Sequence, residues 1–179
     1  REYPYGSLLA HLIGYVGAVP SSSKEELEAE LAALNEGRTK LDGLYTSDSI
    51  VGRLGLEKQY EQQLRGKDGE LIYIRTAEGT NRRTLHRLDP VDGYDIELTV
   101  DVELQQRLDE VMDLVLFGDT TAGAVVVMNP LTGAVQALSS YPSYDLNLFT
   151  RGISGKEYSA LLNDPAKPLI NRVTQGLYP

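Results

Sequence analysis

Cysteine is absent from the 179 residues, which removes a disulfide framework, a thiol nucleophile and cysteine-ligated zinc together. Histidine occurs only at His11 and His86, far apart in sequence, so a histidine-rich metal centre cannot be built. No stretch approaches the ~18 consecutive apolar residues that a membrane-spanning helix needs. Positive charge is scarce: 17 Lys and Arg stand against 26 Asp and Glu, and the formal charge of -9 repels a phosphate backbone and argues against nucleic acid as a partner. A carboxylate site has one candidate, Asp89-Pro90-Val91-Asp92-Gly93, but it lacks calcium-loop spacing and reads as a turn. The chain is 41% hydrophobic, enough for one ordinary core or two small ones.

The first half is broken by Gly, Ser and charge. Residues 7–19 are apolar with helix and strand character mixed. Pro20-Ser21-Ser22-Ser23 opens a helix over 24–35 in which Leu27, Leu31 and Leu34 form one narrow stripe on an acidic rod. Residues 37–49 are a polar connection, and 57–65 predict a second short helix stopped by Gly66. Two hairpin arms, 70–76 and 80–88, turn at Ala77-Glu78-Gly79. From Tyr94 the pattern is cleaner. Ile96, Leu98 and Val100 alternate as a half-buried strand, Asp101 caps a helix, and Leu104, Leu108, Val111 and Val115 give that helix an apolar face ending near Gly118. Residues 124–128 and 134–139 are strands joined by Asn129-Pro130-Leu131-Thr132-Gly133. The expected class is α+β with an antiparallel sheet, one face and one edge of which three strands and a helix leave uncovered.

Local motifs have plain readings beside chemical ones. Ser21-Ser22-Ser23-Lys24 matches a Ser-x-x-Lys nucleophile, but Ser22 and Ser23 each precede a glutamate by three, the pattern of a helix cap, and no Lys-Thr-Gly or Ser-x-Asn follows. It reads as a cap. Arg75, Arg82, Arg83 and Arg87 could grip an anion or simply protect strand edges from pairing. His11, among Leu8, Leu9, Leu12 and Ile13, reads as a core histidine with a backbone partner. Tyr141-Pro142-Ser143-Tyr144-Asp145 is a rigid aromatic exit that lines a groove or packs as a loop. Asp109 with Glu110 or Asp113 could serve a hydrolase, but they sit on the polar side of a helix.

Longer strings resemble one family. Tyr3-Pro4-x-Gly6 with Ala10-His11-x-x-Gly14-Tyr15-x-Gly17, and Gly52-x-x-Gly55-x-Glu57-x-x-Tyr60-Glu61-x-x-Leu64-Arg65-Gly66-x-x-Gly69, look like the membrane-near region of class B penicillin-binding proteins. Thr99-x-Asp101-x-x-Leu104-Gln105, Gly123-Ala124 to Pro130-x-Thr132-Gly133, Ser140-x-Pro142-Ser143-Tyr144-Asp145-x-Asn147-x-Phe149 and Pro168-Leu169-x-Asn171-Arg172-x-x-Gln175-Gly176-x-Tyr178-Pro179 resemble the start of their transpeptidase domain. The likeness covers essentially the whole chain in family order and is greatest to the elongation type, the penicillin-binding protein 2 kind. Leu146 departs from a usual Pro and Asn129 from a frequent Asp.

The resemblance implies an elongated pedestal or dimerisation region of short helices and a β hairpin at 1–93, then the N-terminal strand-helix-hairpin of a penicillin-recognising fold at 94–179. It implies a parent that cross-links peptidoglycan by acyl transfer from D-Ala-D-Ala stem peptides, outside the bacterial cytoplasmic membrane and tethered to it. The implied partners are a membrane glycosyltransferase and a cell-wall scaffold protein, with a homodimer allowed. In the family the segment like 171–179 runs into Pro-Gly-Ser and the nucleophile, so both the nucleophile and the membrane anchor are expected outside these residues. No catalytic, cofactor-binding or metal-ligating residue is assigned. A self-contained glycan- or peptide-binding module, with 141–149 as its groove, is the alternative and predicts saturable muropeptide binding. Acyl transfer needs an activated serine, a lysine and an oxyanion hole. The expected outcome with a fluorescent β-lactam is therefore no label surviving denaturation; a retained covalent label would overturn the assignment.

Overall fold

The computed structural model describes residues 2–39, 42–75, 82–116, 122–150 and 152–177. The chain forms two compact units that interleave in sequence: residues 1–17, 51–59 and 97–179 make the first, and 18–50 with 60–96 the second. Among the described residues, short helices and three two-stranded sheets fill them, two of the sheets being antiparallel hairpins, which is the expected α+β character.

Residues 7–19 resolve their mixed signal as helix α1 (Ala10–Ile13), in the first unit, and strand β1 (Val16–Ala18), whose last residue is counted with the second. Strand β1 pairs with β2 (Ile50–Gly52), and helix α3 (Gly55–Gln59) follows. The junction is closed by backbone contact. Gly14 has φ +74°, and a Cβ there would lie 1.9 Å from the Leu54 carbonyl oxygen, so only glycine fits. The core is built of Tyr3, Ala10, Tyr144, Leu146 and Phe149, with Ile13, Tyr15 and Leu169 packed against it. Tyr15 stacks on Phe149 at 3.8 Å between ring centroids, and Tyr144 meets Phe149 edge-on at 5.7 Å.

Helix α5 (Val102–Val115) begins as expected: Asp101 accepts from the Glu103 and Leu104 amides, both at 3.0 Å. Its ending is Leu116, and Gly118 lies outside the described residues. The face it buries differs from the predicted one. Gln105 and Met112 are buried, whereas Leu104, Val111 and Val115 are 37%, 52% and 66% exposed. The reason is hydrogen bonding: Gln105 accepts from the Leu138 amide at 2.8 Å and donates to Asp109 at 3.1 Å, so a polar pair faces the sheet. That sheet is β5 (Gly123–Met128) with β6 (Val135–Tyr141). The turn between them is Asn129-capped, with Gly133 at φ +75°.

The predicted strand over 94–100 does not form. Thr99 Oγ1 donates to Val135 O at 2.7 Å and the Asp101 amide to Gln136 O at 2.9 Å, so a side chain takes a position that a ladder amide would occupy. Gln136 is the unpaired residue of a bulge in β6, which frees its carbonyl for Asp101. Three further helices, α6 (Asn147–Thr150), α7 (Gly155–Asn163) and α8 (Arg172–Gln175), complete the unit.

In the second unit, helix α2 (Lys24–Leu34) starts at Ser23, whose hydroxyl accepts from the Glu26 amide at 3.1 Å. Leu27, Leu31 and Leu34 are half-buried on its one apolar face. The single helix expected over 57–65 is broken at Tyr60 (φ −112°, ψ 23°), which leaves α3 and a separate turn, α4 (Glu61–Leu64). Tyr45 anchors this unit. Its ring lies between the guanidinium groups of Arg38 and Arg65 at 5.0 and 4.0 Å, its hydroxyl donates to Glu61 at 3.1 Å, and the Asn35 amide bonds its backbone N–H and C=O. Strands β3 (Glu70–Arg75) and β4 (Arg82–Leu88) form the predicted hairpin, and its turn lies outside the described residues.

The close approach at Gly14 yields a test by contrast. Gly14→Ala is expected to destabilise by about 2 kcal/mol or more, because backbone must move. Gly133→Ala, where no atom lies within 4 Å, is expected to lose only the ~1 kcal/mol of a left-handed alanine. Denaturant unfolding of both variants reads the difference, and equal losses would refute the role given to Gly14.

Candidate docking surfaces

The β3–β4 hairpin is fastened at its base. Lys67 and Val91 exchange two backbone bonds of 2.7 and 3.0 Å, and the Tyr94 amide donates to Gln63 O at 2.8 Å. The register runs Glu70↔Leu88 to Ile72↔His86 and then shifts, with Tyr73 opposite Thr84, so Leu85 is the extra residue of a bulge. Along the arms, Leu71, Ile72, Tyr73 and Ile74 are 56%, 43%, 43% and 54% exposed, and Leu85 is 57% exposed. Successive strand residues point to opposite faces. Both faces of the ribbon are therefore apolar and wet. Covering each such side chain would contribute on the order of 1 kcal/mol. A lone two-stranded ribbon is marginal by itself, and consecutive exposed apolar residues mark a surface made to be covered.

A second uncovered strip lies in the first unit. Leu104, Val111, Leu114 and Val115 on α5 fall at helical spacing and are all exposed, Leu114 at 77%. On β5, Val126 and Met128 are also exposed. Leu104, Val111 and Val115 belong to the face that the sequence pattern predicts as buried, of which only Leu108 is half-buried, so the signal marks a surface for burial that nothing among the described residues covers.

The other sequence candidates resolve one by one. His11 has its expected backbone partner: Nε2 donates to Pro168 O at 2.7 Å, and its ring meets Tyr144 edge-on at 5.2 Å. Burial and the nearby Arg172 charge depress its pKa, against the Pro168 bond, which raises it. Lys24 pairs with Glu28 at 3.7 Å, while Ser22 bonds the Glu26 carboxylate and Ser23 caps α2. Of the arginine cluster, Arg87 pairs with Asp89 at 2.6 Å, and the side chains of Arg75, Arg82 and Arg83 lie outside the described residues. Asp109, Glu110 and Asp113 do not converge. Asp109 is half-buried and its pKa is raised by that burial against bonds from Ser139 and Gln105, whereas Glu110 pairs with Arg107 at 2.8 Å in solvent.

The 141–149 segment packs inward. Tyr144, Leu146 and Phe149 are buried, so these side chains fill the core where a groove would need them exposed. The family departure at Leu146 has a physical account: its amide donates to Gly6 O at 3.3 Å, a bond that proline cannot make. Asn129 does what an aspartate would do, accepting two turn amides. Sequence reasoning missed Gln105, fully buried, and the Ser154–Glu157 capping box of α7, which Ser-x-x-Glu spacing announces. Among the described residues no three His, Asp or Glu side chains gather to hold a metal ion, and no helix is long and apolar enough to cross a membrane.

Residues 1–98 match the penicillin-binding protein dimerisation domain. The chain is 45% identical to the peptidoglycan D,D-transpeptidase MrdA of Escherichia coli K12 over all 179 residues, which are 26% of that protein. Penicillin-binding protein PBP2 of Helicobacter pylori, solved in complex with MreC, superposes with a TM-score of 0.73 at 30% identity over 99% of this chain and 29% of its own. PBP2 of Pseudomonas aeruginosa, solved with WCK 5153, gives 0.69 at 32% identity over 100% of this chain and 31% of its own. The chain thus spans about a quarter of the curated relatives it matches. The strings that resemble the class B, elongation-type proteins are borne out, and with more than half of its length inside the family match the chain belongs to the penicillin-binding protein dimerisation domain family.

Proposed function

We propose that this chain is the support and docking portion of a bacterial peptidoglycan D,D-transpeptidase, working on the outer side of the cytoplasmic membrane. Residues 1–93 serve as the pedestal, and 94–179 open the penicillin-recognising domain that carries out acyl transfer from D-Ala-D-Ala stem peptides. The uncovered α5 strip supports this division, because relatives of which the chain covers 26% have further polypeptide to lay over it. The hairpin of the second unit is the surface for another protein, and its run of exposed Leu71 to Ile74 is the observation that carries the reading. An extracytoplasmic scaffold of the MreC kind, present in the H. pylori complex, is the partner proposed for it, and a membrane glycosyltransferase is a further one.

Leu71→Asp with Ile74→Asp tests the assignment. Both side chains are more than half exposed, so far-ultraviolet circular dichroism and thermal unfolding should stay close to those of the parent chain. Binding to MreC from the same bacterium should weaken about tenfold or more, as expected for the loss of two apolar anchors. An unchanged dissociation constant with intact folding would assign docking elsewhere.

A further inference from the structure

The two arms of the β3–β4 ribbon have unlike outer edges. The β4 edge is defended against pairing. Leu85 bulges out of its register, Arg82, Arg83 and Arg87 lie along it in sequence, and Pro90, two residues past its end, has no amide to offer. The β3 edge carries none of these devices. Between Glu70 and Arg75 it runs through Leu71, Ile72, Tyr73 and Ile74 with no bulge, no proline and no charge, and among the described residues no third strand pairs with it.

Register tells which backbone groups of β3 face outward. Lys67 and Val91 exchange both backbone bonds and stand three rungs below Glu70↔Leu88 in the same register. Bonded and non-bonded rungs alternate in an antiparallel pair, so Leu71↔Arg87 is bonded, and the amides and carbonyls of Glu70 and Ile72 face away from β4. The bulge lies in β4, so β3 keeps its alternation and Ile74 faces outward too.

We propose that β3 is a docking edge: an extended segment of the partner protein, apolar along its length and carrying carboxylates where it passes the ribbon's tip, pairs with Glu70, Ile72 and Ile74 as a third strand. The proposal rests on the ribbon's docking role and adds the edge, the mode of pairing and the chemistry of the segment taken.

The apolar residues on both sides of the ribbon suit this mode. Leu71 and Tyr73 share one face, Ile72 and Ile74 the other, and all four are exposed, so an added strand places its own side chains beside apolar neighbours above and below the sheet. A third strand also lifts the ribbon out of the marginal stability of a two-stranded one.

The charge pattern selects an acidic segment. Arg75 stands directly opposite Arg82, and Ile74 opposite Arg83, so three arginines occupy the last two rungs. Like charges on one rung destabilise a hairpin. Glu78 is the one acid between the arms in sequence, and Asp89, near the base, is already paired with Arg87. The tip is thus a place of net positive charge on a chain of formal charge -9, and carboxylates of a partner would offset a repulsion that the hairpin leaves standing.

Amide hydrogen exchange of the chain, with and without MreC from the same bacterium, reads the edge without any substitution. Exchange at the Ile72 and Ile74 amides should slow about 100-fold in the complex. Ile72→Pro removes one outward N–H and no ladder bond, whereas Ile72→Ala removes the side chain and keeps that N–H. The dissociation constant should rise about tenfold more for the proline than for the alanine variant. Arg82→Gln with Arg83→Gln should slow association about tenfold at low salt and flatten its salt dependence, and unchanged association would refute the acidic segment. Binding with unaltered exchange at Ile72 and Ile74, or no extra loss in Ile72→Pro, would overturn strand pairing and leave docking through the side-chain faces. Absence of binding to the unsubstituted chain would overturn the docking role itself, and strand pairing with it. Slowed exchange that follows protein concentration alone, or that phosphatidylglycerol vesicles produce in place of MreC, would give the edge to a second copy or to lipid and so refute the proposal. The exchange measurement decides the matter should Ile72→Pro fail to fold.

Discussion

Asn147 grips the backbone of Tyr3 on both sides, accepting from its amide at 3.1 Å and donating to its carbonyl at 2.8 Å across 144 positions of sequence. Closing so long a loop costs on the order of 4 kcal/mol in chain entropy, more than two hydrogen bonds of about 1 kcal/mol each return. The remainder comes from what the grip brings together. Tyr3, Tyr144, Leu146 and Phe149 are each nearly fully buried, and large apolar side chains contribute about 1.5–3 kcal/mol apiece on burial. The Leu146 amide on Gly6 and the Ser143 hydroxyl on the Ser7 carbonyl continue the seam toward α1. The first unit is therefore closed by its N-terminal residues. A family boundary near residue 98 is consequently no boundary of packing.

A second constraint is polar. Gln105 is fully buried, and its amide is satisfied at both ends, by the Leu138 amide and by Asp109. An apolar residue of similar size would leave the Leu138 N–H without that acceptor, at the cost of a buried unsatisfied donor. The same geometry turns Asp109 toward Ser139 and turns α5 about its axis, which puts Leu104, Val111 and Leu114 into solvent. Burial of one glutamine and exposure of an apolar strip are thus two sides of a single choice of rotation.

The sequence was most legible where structure is local. Asp101 as a cap, the Ser23 cap of α2 and the Asn129 to Gly133 turn all follow from residues within five positions of one another, and the arms of both hairpins from apolar runs on either side of a short turn. His11 was legible by composition alone: a lone histidine among leucines needs a backbone partner, although nothing local could name Pro168. Legibility failed where a distant partner decides. The 94–100 alternation promises a strand, yet Thr99 and Asp101 bond β6 without a ladder. The helix expected over 57–65 breaks at Tyr60, although its helical periodicity runs straight through. In α5 the apolar period is real, but it reports a face for burial rather than the face buried here.

That last distinction bears on what the protein is for. A periodic apolar pattern records every surface that is covered in the working molecule, whichever polypeptide covers it. On α5 the pattern and the observed burial disagree, and on the β3–β4 ribbon alternate residues on both faces are apolar where a one-sided hairpin needs only one. A free-standing globule would have no physical reason to keep either strip, since each invites aggregation at its edges. The proposed support element gains from both. Its two units are organised around internal anchors, the Tyr3–Asn147 seam in one and the Tyr45 stack between Arg38 and Arg65 in the other, and neither anchor draws on the exposed strips. Fold and exposed apolar surface are thereby carried by separate residues, so either strip can be covered, or its residues exchanged, without altering what holds either unit together.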